Sequence, residues 1–328
     1  MVLETQLGDP TFWITAFAGG AFGAAIGALP AFIFTGFVVI AGEALNIGGG
    51  APEGVSGLTG YVGFGPIFGP HISFAAGAAA AAYAAKQGYI DDGKNILWAA
   101  GTNHIDVLLV GGVFGLLGLI GTNVFNYIGI PTDNIALMVF LSALIHRVAF
   151  GYSVIGEVTG SGMFDVGPWE RDEDQAPGIW LPWQYKWSGV TMIGLIGGIL
   201  GGALYVTTGS GVLGFGISAA SLVFLQAGTD NIPVTHHITL PGSVGALGAL
   251  EPFGATGAIL FGAVFGIFGA LMGEVCNRVF YMHGSTHVDP PAFAIAASGL
   301  LATVLAIAGV FDAAFWAYPD SIIGVLGA

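Results

Sequence analysis

From Thr11 to Leu45 the chain runs through thirty-five residues carrying one charged side chain, Glu43. A helix that crosses a bilayer needs about 20 residues. This stretch is too long for one crossing and too apolar to face water. Pro30, with the Gly27-Ala28 pair before it, offers the natural break. The spacing predicts two short spans, 11–29 and 31–45. Gly19, Gly23 and Gly27 recur every fourth residue, a small-xxx-small face that lets helix backbones approach closely.

Comparable stretches fill the chain. Of 328 residues, 55% are hydrophobic and 8% charged, with a mean hydropathy of +0.83. A soluble chain carries about 25% charged residues, so the predicted environment is a lipid bilayer. The net charge of -14 argues against nucleic acid, which needs a basic face. One cysteine, Cys276, excludes an internal disulfide and a thiolate metal cluster. The acidic start, Met1 to Pro10, lacks the basic region of a signal peptide.

In order, the apolar segments are 11–29, 31–45, 71–85, 99–125 and 133–150. A polar connection, 151–187, follows and holds Trp169, Trp180, Trp183 and Trp187. The series then restarts at 188–205, 211–226, 235–250, 254–277 and 289–310. Matches fall in the same order in both series. Gly19, Gly20 and Gly23 correspond to Gly197, Gly198 and Gly201, and Gly36-Phe37 to Gly214-Phe215. His71-Ile72-Ser73 corresponds to His237-Ile238-Thr239, and Val113-Phe114-Gly115 to Val264-Phe265-Gly266. Gly118 and Asn126 pair with Gly269 and Asn277, and Asp133 and Ser142 with Asp289 and Ser298.

Five spans per half is an odd number, so the second half enters the membrane from the opposite side. The expected fold is an all-α polytopic membrane protein with about ten transmembrane helices in two inverted five-helix repeats. Segments three and eight, 71–85 and 236–250, are short or broken and either cross or re-enter. The predicted units are a first repeat at 11–151, an interfacial cytoplasmic linker at 152–187, a second repeat at 188–310 and an interfacial tail at 311–328. With the N-terminus outside, Lys86, Lys94, Arg147, Arg171, Lys186 and Arg278 all fall inside. A multi-pass protein of the cell membrane with both termini outside is the expectation.

A helix that begins within a membrane presents free N–H groups and a positive dipole end. In an inverted repeat the two such starts meet near the midplane, where transport sites lie. Candidate substrate-binding residues are therefore His71, Ser73, His236, His237 and Thr239, with Asn103 nearby. His236 has no counterpart in the first half, where Pro70 stands in its place, so the site is asymmetric. Asp106 and His104, at the start of segment four, are candidates for ion coupling, although Asp106 also suits a surface helix cap.

No nucleotide loop, zinc-protease motif or serine elbow is present. The expected function is non-enzymatic: a channel or secondary transporter for a small polar or anionic solute. No cofactor and no bound metal are expected; the partners are the bilayer, a small solute or ion, and a second copy of the chain in a homo-oligomer. Two alternatives remain open. One is a divalent-metal transporter using the histidines with Asp106. The other is a non-transporting scaffold in a larger membrane assembly.

Overall fold

A computed structural model describes residues 6–49, 57–97, 103–171 and 178–312. Parts of several expected features lie outside them: the 46–70 loop at 50–56, the start of segment four at Ala99, the acidic run at 172–174 and the tail beyond Asp312. Among the described residues the regular structure is helical, and the β pairing is a single bridge between Gly93 and Thr286. Five units are long and apolar enough to cross a membrane: Ala28–Ile47, Ile105–Ile128, Trp187–Thr208, His236–Tyr281 and Pro290–Ile307. Shorter apolar helices span Pro10–Ile26, Asn134–Ala149 and Leu213–Gln226.

The opening pair is α1 (Pro10–Ile26) and α2 (Ala28–Ile47). Their break falls at Gly27 rather than Pro30. Gly27 adopts φ 98°, which only glycine takes without strain. Pro30 instead rides in the first turn of α2, where no helical N–H is required of it.

Next come a π-helical turn, Leu58–Gly63, and α3 (Ser73–Lys86). At ~1.5 Å per residue, the 14 residues of α3 reach about 21 Å, short of a bilayer's apolar core at about 30 Å. The irregular run before it supplies the rest. Along α2, Gly42 abuts Thr59, Gly63 abuts Val39, Thr35 donates to the Phe68 carbonyl at 2.6 Å, and Gly77 abuts Ala28. Residues 58–86 thus run antiparallel to α2 along its whole length. The start of α3 lies beside Phe32, in the first third of α2.

α4 (Ile105–Ile128) and α5 (Asn134–Ala149) follow, and Asp133 caps α5 by accepting from the Ala136 N–H at 2.9 Å. The polar connection holds a short helix, α6 (Gly167–Arg171). It packs onto one end of the helix bundle. Trp180 N–H donates to Asn277, and Gln184 exchanges hydrogen bonds with the Val234 backbone.

α7 (Trp187–Thr208) leads to α8 (Leu213–Ser221) and α9 (Val223–Gln226). α10 (His236–Cys276) is one run of helical hydrogen bonding that reverses direction at Gly254, where φ is 68° and ψ 179°. Its arms, 236–253 and 255–276, pack side by side and antiparallel. Gly273 and Gly269 meet His237, Gly269 meets Pro241, and Gly245 meets Phe265. A π-helical turn, Asn277–Tyr281, precedes α11 (Pro290–Ile307), which Asp289 caps through the Ala292 N–H at 2.8 Å.

Glycines set the closest contacts, and these recur at matching residues. A methyl on Gly23 would strike the Ser73 carbonyl, and one on Gly201 the Thr239 carbonyl. Gly118 is pressed against the His71 carbonyl, and Gly269 against that of His237. Gly20 packs on Gly111 and Gly115, and Gly198 on Gly262 and Gly266. Matching helices also meet each other. Gly36 of α2 touches Ala219 and Ala220 of α8. Thr132, just before α5, donates to Ala296 of α11, and Thr303 of α11 returns a bond to Pro131.

Candidate functional site

Two cavities approach each other through the bundle. The first, about 630 Å³, is lined by Glu43, Thr59, His71, Asn123, Asp133 and Ser210 among others. Glu43 accepts there from Asn46 at 3.0 Å, Thr59 at 2.8 Å and Ser210. The second, about 530 Å³, is walled by Trp169, Trp180 and Trp183 and holds Asp92, Lys94 and His287. Burial pushes the Lys94 ammonium down to about 7 from 10.5, opposed by nearby Asp92. Its Nζ donates to the Gly178 carbonyl at 3.3 Å and lies 4.3 Å from the Tyr281 ring centre.

Between the two lies a narrow passage of about 30 Å³, room for about two waters. It shares Phe64, Asp133 and Leu240 with the Glu43 cavity, and Phe32, Phe74, His236 and Asp289 with the Lys94 cavity. Its walls fall into pairs that match between the halves: Pro70 with His236, Phe74 with Leu240, Asp133 with Asp289, Ala136 with Ala292, and Val139 with Ile295. Four phenyl rings form a continuous ladder through it. Phe74 meets Phe32 at 5.5 Å, Phe32 meets Phe215 at 5.6 Å, and Phe215 meets Phe64 at 5.3 Å. His236 sits at the middle of this ladder, 4.6 Å from the Phe32 ring and 5.8 Å from that of Phe215. It is buried, and its Nδ1 has no hydrogen-bond partner.

The residues singled out from the sequence separate into three groups. His236 lines the passage and His71 the Glu43 cavity. His237, Ser73 and Thr239 are engaged in packing. His237 lies against Trp180 at 5.9 Å and against Gly273. Ser73 donates to the Phe68 carbonyl at 3.2 Å, and Thr239 to that of Gly214 at 3.0 Å.

Asn103, His104 and Asp106 stand at the far end of α3 from its start. Asp106 accepts from Tyr83 and Tyr89, each at 3.1 Å, and His104 stacks on Tyr89 at 3.7 Å. Tyr83 is ten residues along from Ser73, about 15 Å of helix, so this cluster does not reach the passage. The histidines do not converge either: among the described residues no three His, Cys, Asp or Glu side chains stand close enough to hold a metal ion.

The sequence shows Asp133 and Asp289 as a matched pair, each opening an apolar segment, but not as passage residues. The available signal was a repeated carboxylate at the head of an apolar helix. The rings of Phe32, Phe64, Phe74 and Phe215 gave none, among twenty-four phenylalanines.

All six basic residues gather at the end of the bundle that carries the Lys94 cavity. Lys86 donates to Gly151, Lys94 to Gly178, Arg147 to Val154, and Arg278 to Phe164 and Tyr185. Lys186 lies over Tyr185, and Arg171 beside Gly167. Each therefore touches, or belongs to, the 151–187 connection.

A family model described as a family of unknown function (DUF7973) matches residues 2–319, and the chain belongs to that family. No curated protein and no solved structure matches it.

Proposed function

We propose that this DUF7973 protein is a membrane channel or secondary transporter for a small uncharged polar solute, which crosses between the two cavities through the Phe-lined passage. The observation that carries the reading is the passage itself. Ten of its lining residues form five pairs matched between the halves, which supports an inverted repeat with the passage on its pseudo-two-fold axis. In this reading α1, α2, residues 58–86, α4 and α5 make five crossings. Then α7, α8 with α9, the two arms of α10, and α11 make five more. The gathering of the six basic residues at one end supports a cytoplasmic position for that end and its connection, with both chain termini on the outside of a cell membrane.

Charge decides between solute classes. An ion stripped of water against phenyl rings pays a desolvation cost of many kcal/mol unless it is paired. An anion would also meet Asp133 and Asp289 at the two mouths, while no Lys or Arg lines the narrow part. An uncharged solute pays neither cost.

The test is solute flux in sealed proteoliposomes, with urea, glycerol, ammonia, formate, chloride and a divalent metal compared. The reading expects protein-dependent flux of one or more uncharged solutes and none of the anions or the metal. Flux restricted to an anion or a metal overturns it, as does no flux from correctly folded protein.

A further inference from the structure

The walls of the passage accept hydrogen bonds and hardly offer any. Asp133 stands at its junction with the Glu43 cavity and Asp289 at its junction with the Lys94 cavity. Each spends one carboxylate oxygen on its own helix, Asp133 on the Ala136 N–H at 2.9 Å and Asp289 on the Ala292 N–H at 2.8 Å. Asp289 also lies 3.3 Å from the His287 Nε2. Each carboxylate still lines two of the three spaces. Ionised carboxylates accept only, and the phenyl faces between them take N–H groups as weak acceptors.

One further polar side chain, His236, lines the same passage between them and is 5% exposed.

We propose that Asp133 and Asp289 are specificity-determining residues that select small uncharged solutes bearing N–H groups, such as ammonia, urea or a short amide, over solutes of like size that only accept. This rests on the transport reading above and names the substrate class of that same site. A solute N–H meets the Asp133 carboxylate at one mouth, the aromatic faces and the His236 ring in the middle, and the Asp289 carboxylate at the other. The equivalence of the two carboxylates gives like contacts for entry and exit. A permanent cation is excluded: it gains at the mouths but loses its water along the rings.

Competition in the unaltered protein tests this without any risk of misfolding. Labelled urea efflux is measured with acetamide or acetone present equally on both sides. Acetamide should slow efflux; acetone, which matches its shape but has no N–H, should not, and labelled tetramethylammonium, a permanent cation, should show no protein-dependent flux. A second arm uses Asp133→Asn/Asp289→Asn, which keeps both helix caps because Asn caps as well as Asp. The variant places amide N–H groups where carboxylates stood, and urea flux at equal insertion should fall about tenfold, the loss of one charged hydrogen bond.

Equal inhibition by acetamide and acetone, or an unchanged urea flux in a folded variant, overturns the selection claim and leaves transport standing. Protein-dependent flux of tetramethylammonium overturns its restriction to uncharged solutes. Absence of flux for every solute instead sinks the transport reading itself.

Discussion

At the start of α3 the chain reads Pro70-His71-Ile72-Ser73; at the start of the first arm of α10 it reads His236-His237-Ile238-Thr239. The three matching residues do matching structural work. The His71 and His237 carbonyls are clamped by Gly118 and Gly269, and the Ser73 and Thr239 carbonyls by Gly23 and Gly201. Both hydroxyls are spent on backbone carbonyls. The residue that departs from the match, Pro70 against His236, is the one that faces the passage. The echo fixes where the two helices begin, and the difference between them puts a polar ring in the passage. A motif that repeats across two halves points first to the scaffold they share, and its exceptions point to the solute.

The largest effect that can break this comparison is all-or-none. In a Cys276→Ser background, Thr59→Cys opens onto one cavity and Asn95→Cys onto the other. A membrane-impermeant thiol reagent should label the two from opposite faces of a sealed vesicle. Labelling of both from one face would contradict the proposed topology.

Next in size are the clamps. Gly118→Val and Gly269→Val each drive a side chain into a carbonyl, and overpacking of this kind costs about 1–3 kcal/mol. Thermal unfolding in detergent should show losses of similar size for the two; a loss at only one would show that the helix starts are not equivalent.

Exchanging the odd residue sharpens the comparison further. His236→Pro gives the second start the residue of the first, at the leading position of its helix, where Pro is tolerated. Folding should survive while flux changes about tenfold, the worth of one polar contact. His237→Ala should alter flux less than about twofold, since neighbouring packing relaxes around one lost ring. The reverse ranking, measured in the same vesicles, would assign function to the echo.

The smallest effect is a pH dependence at Lys94, in the loop after α3. Its folded value is pushed down to about 7 from 10.5, so between those values the unfolded chain binds more protons than the folded one. The cost of burying Lys94 is absent above 10.5, grows as pH falls and is complete below about 7. The stabilisation gained by Lys94→Met should therefore rise as pH is lowered from 9 to 7 and then level off, by at most about 1.4 kcal/mol per pH unit. Chemical denaturation across that range checks the sign.

Much of the fold is legible in the sequence because apolar length and glycine spacing are local properties. The apolar helices and the reversal near Gly254, between segments 235–250 and 254–277, follow from them. The break at Gly27 was misplaced to Pro30 because proline disrupts a helix only beyond its first turn. The site was legible in one residue of its centre, His236, and in the matched aspartates only as helix ends. Asp106 reads from the sequence equally as an ion-coupling carboxylate and as a surface helix cap; its partners, Tyr83 and Tyr89, come from another helix and a loop. Which phenylalanines meet in the passage depends on helices far apart in sequence, and no local pattern encodes it.

The central claim is that solute moves along the axis between Ala136 and Ala292. The most direct measurement fills that space: flux through the Ala136→Leu/Ala292→Leu variant beside the unaltered protein, at equal insertion and with unfolding temperatures matched. The account predicts flux in the unaltered protein and its loss in the variant. Undiminished flux through the filled passage would contradict it.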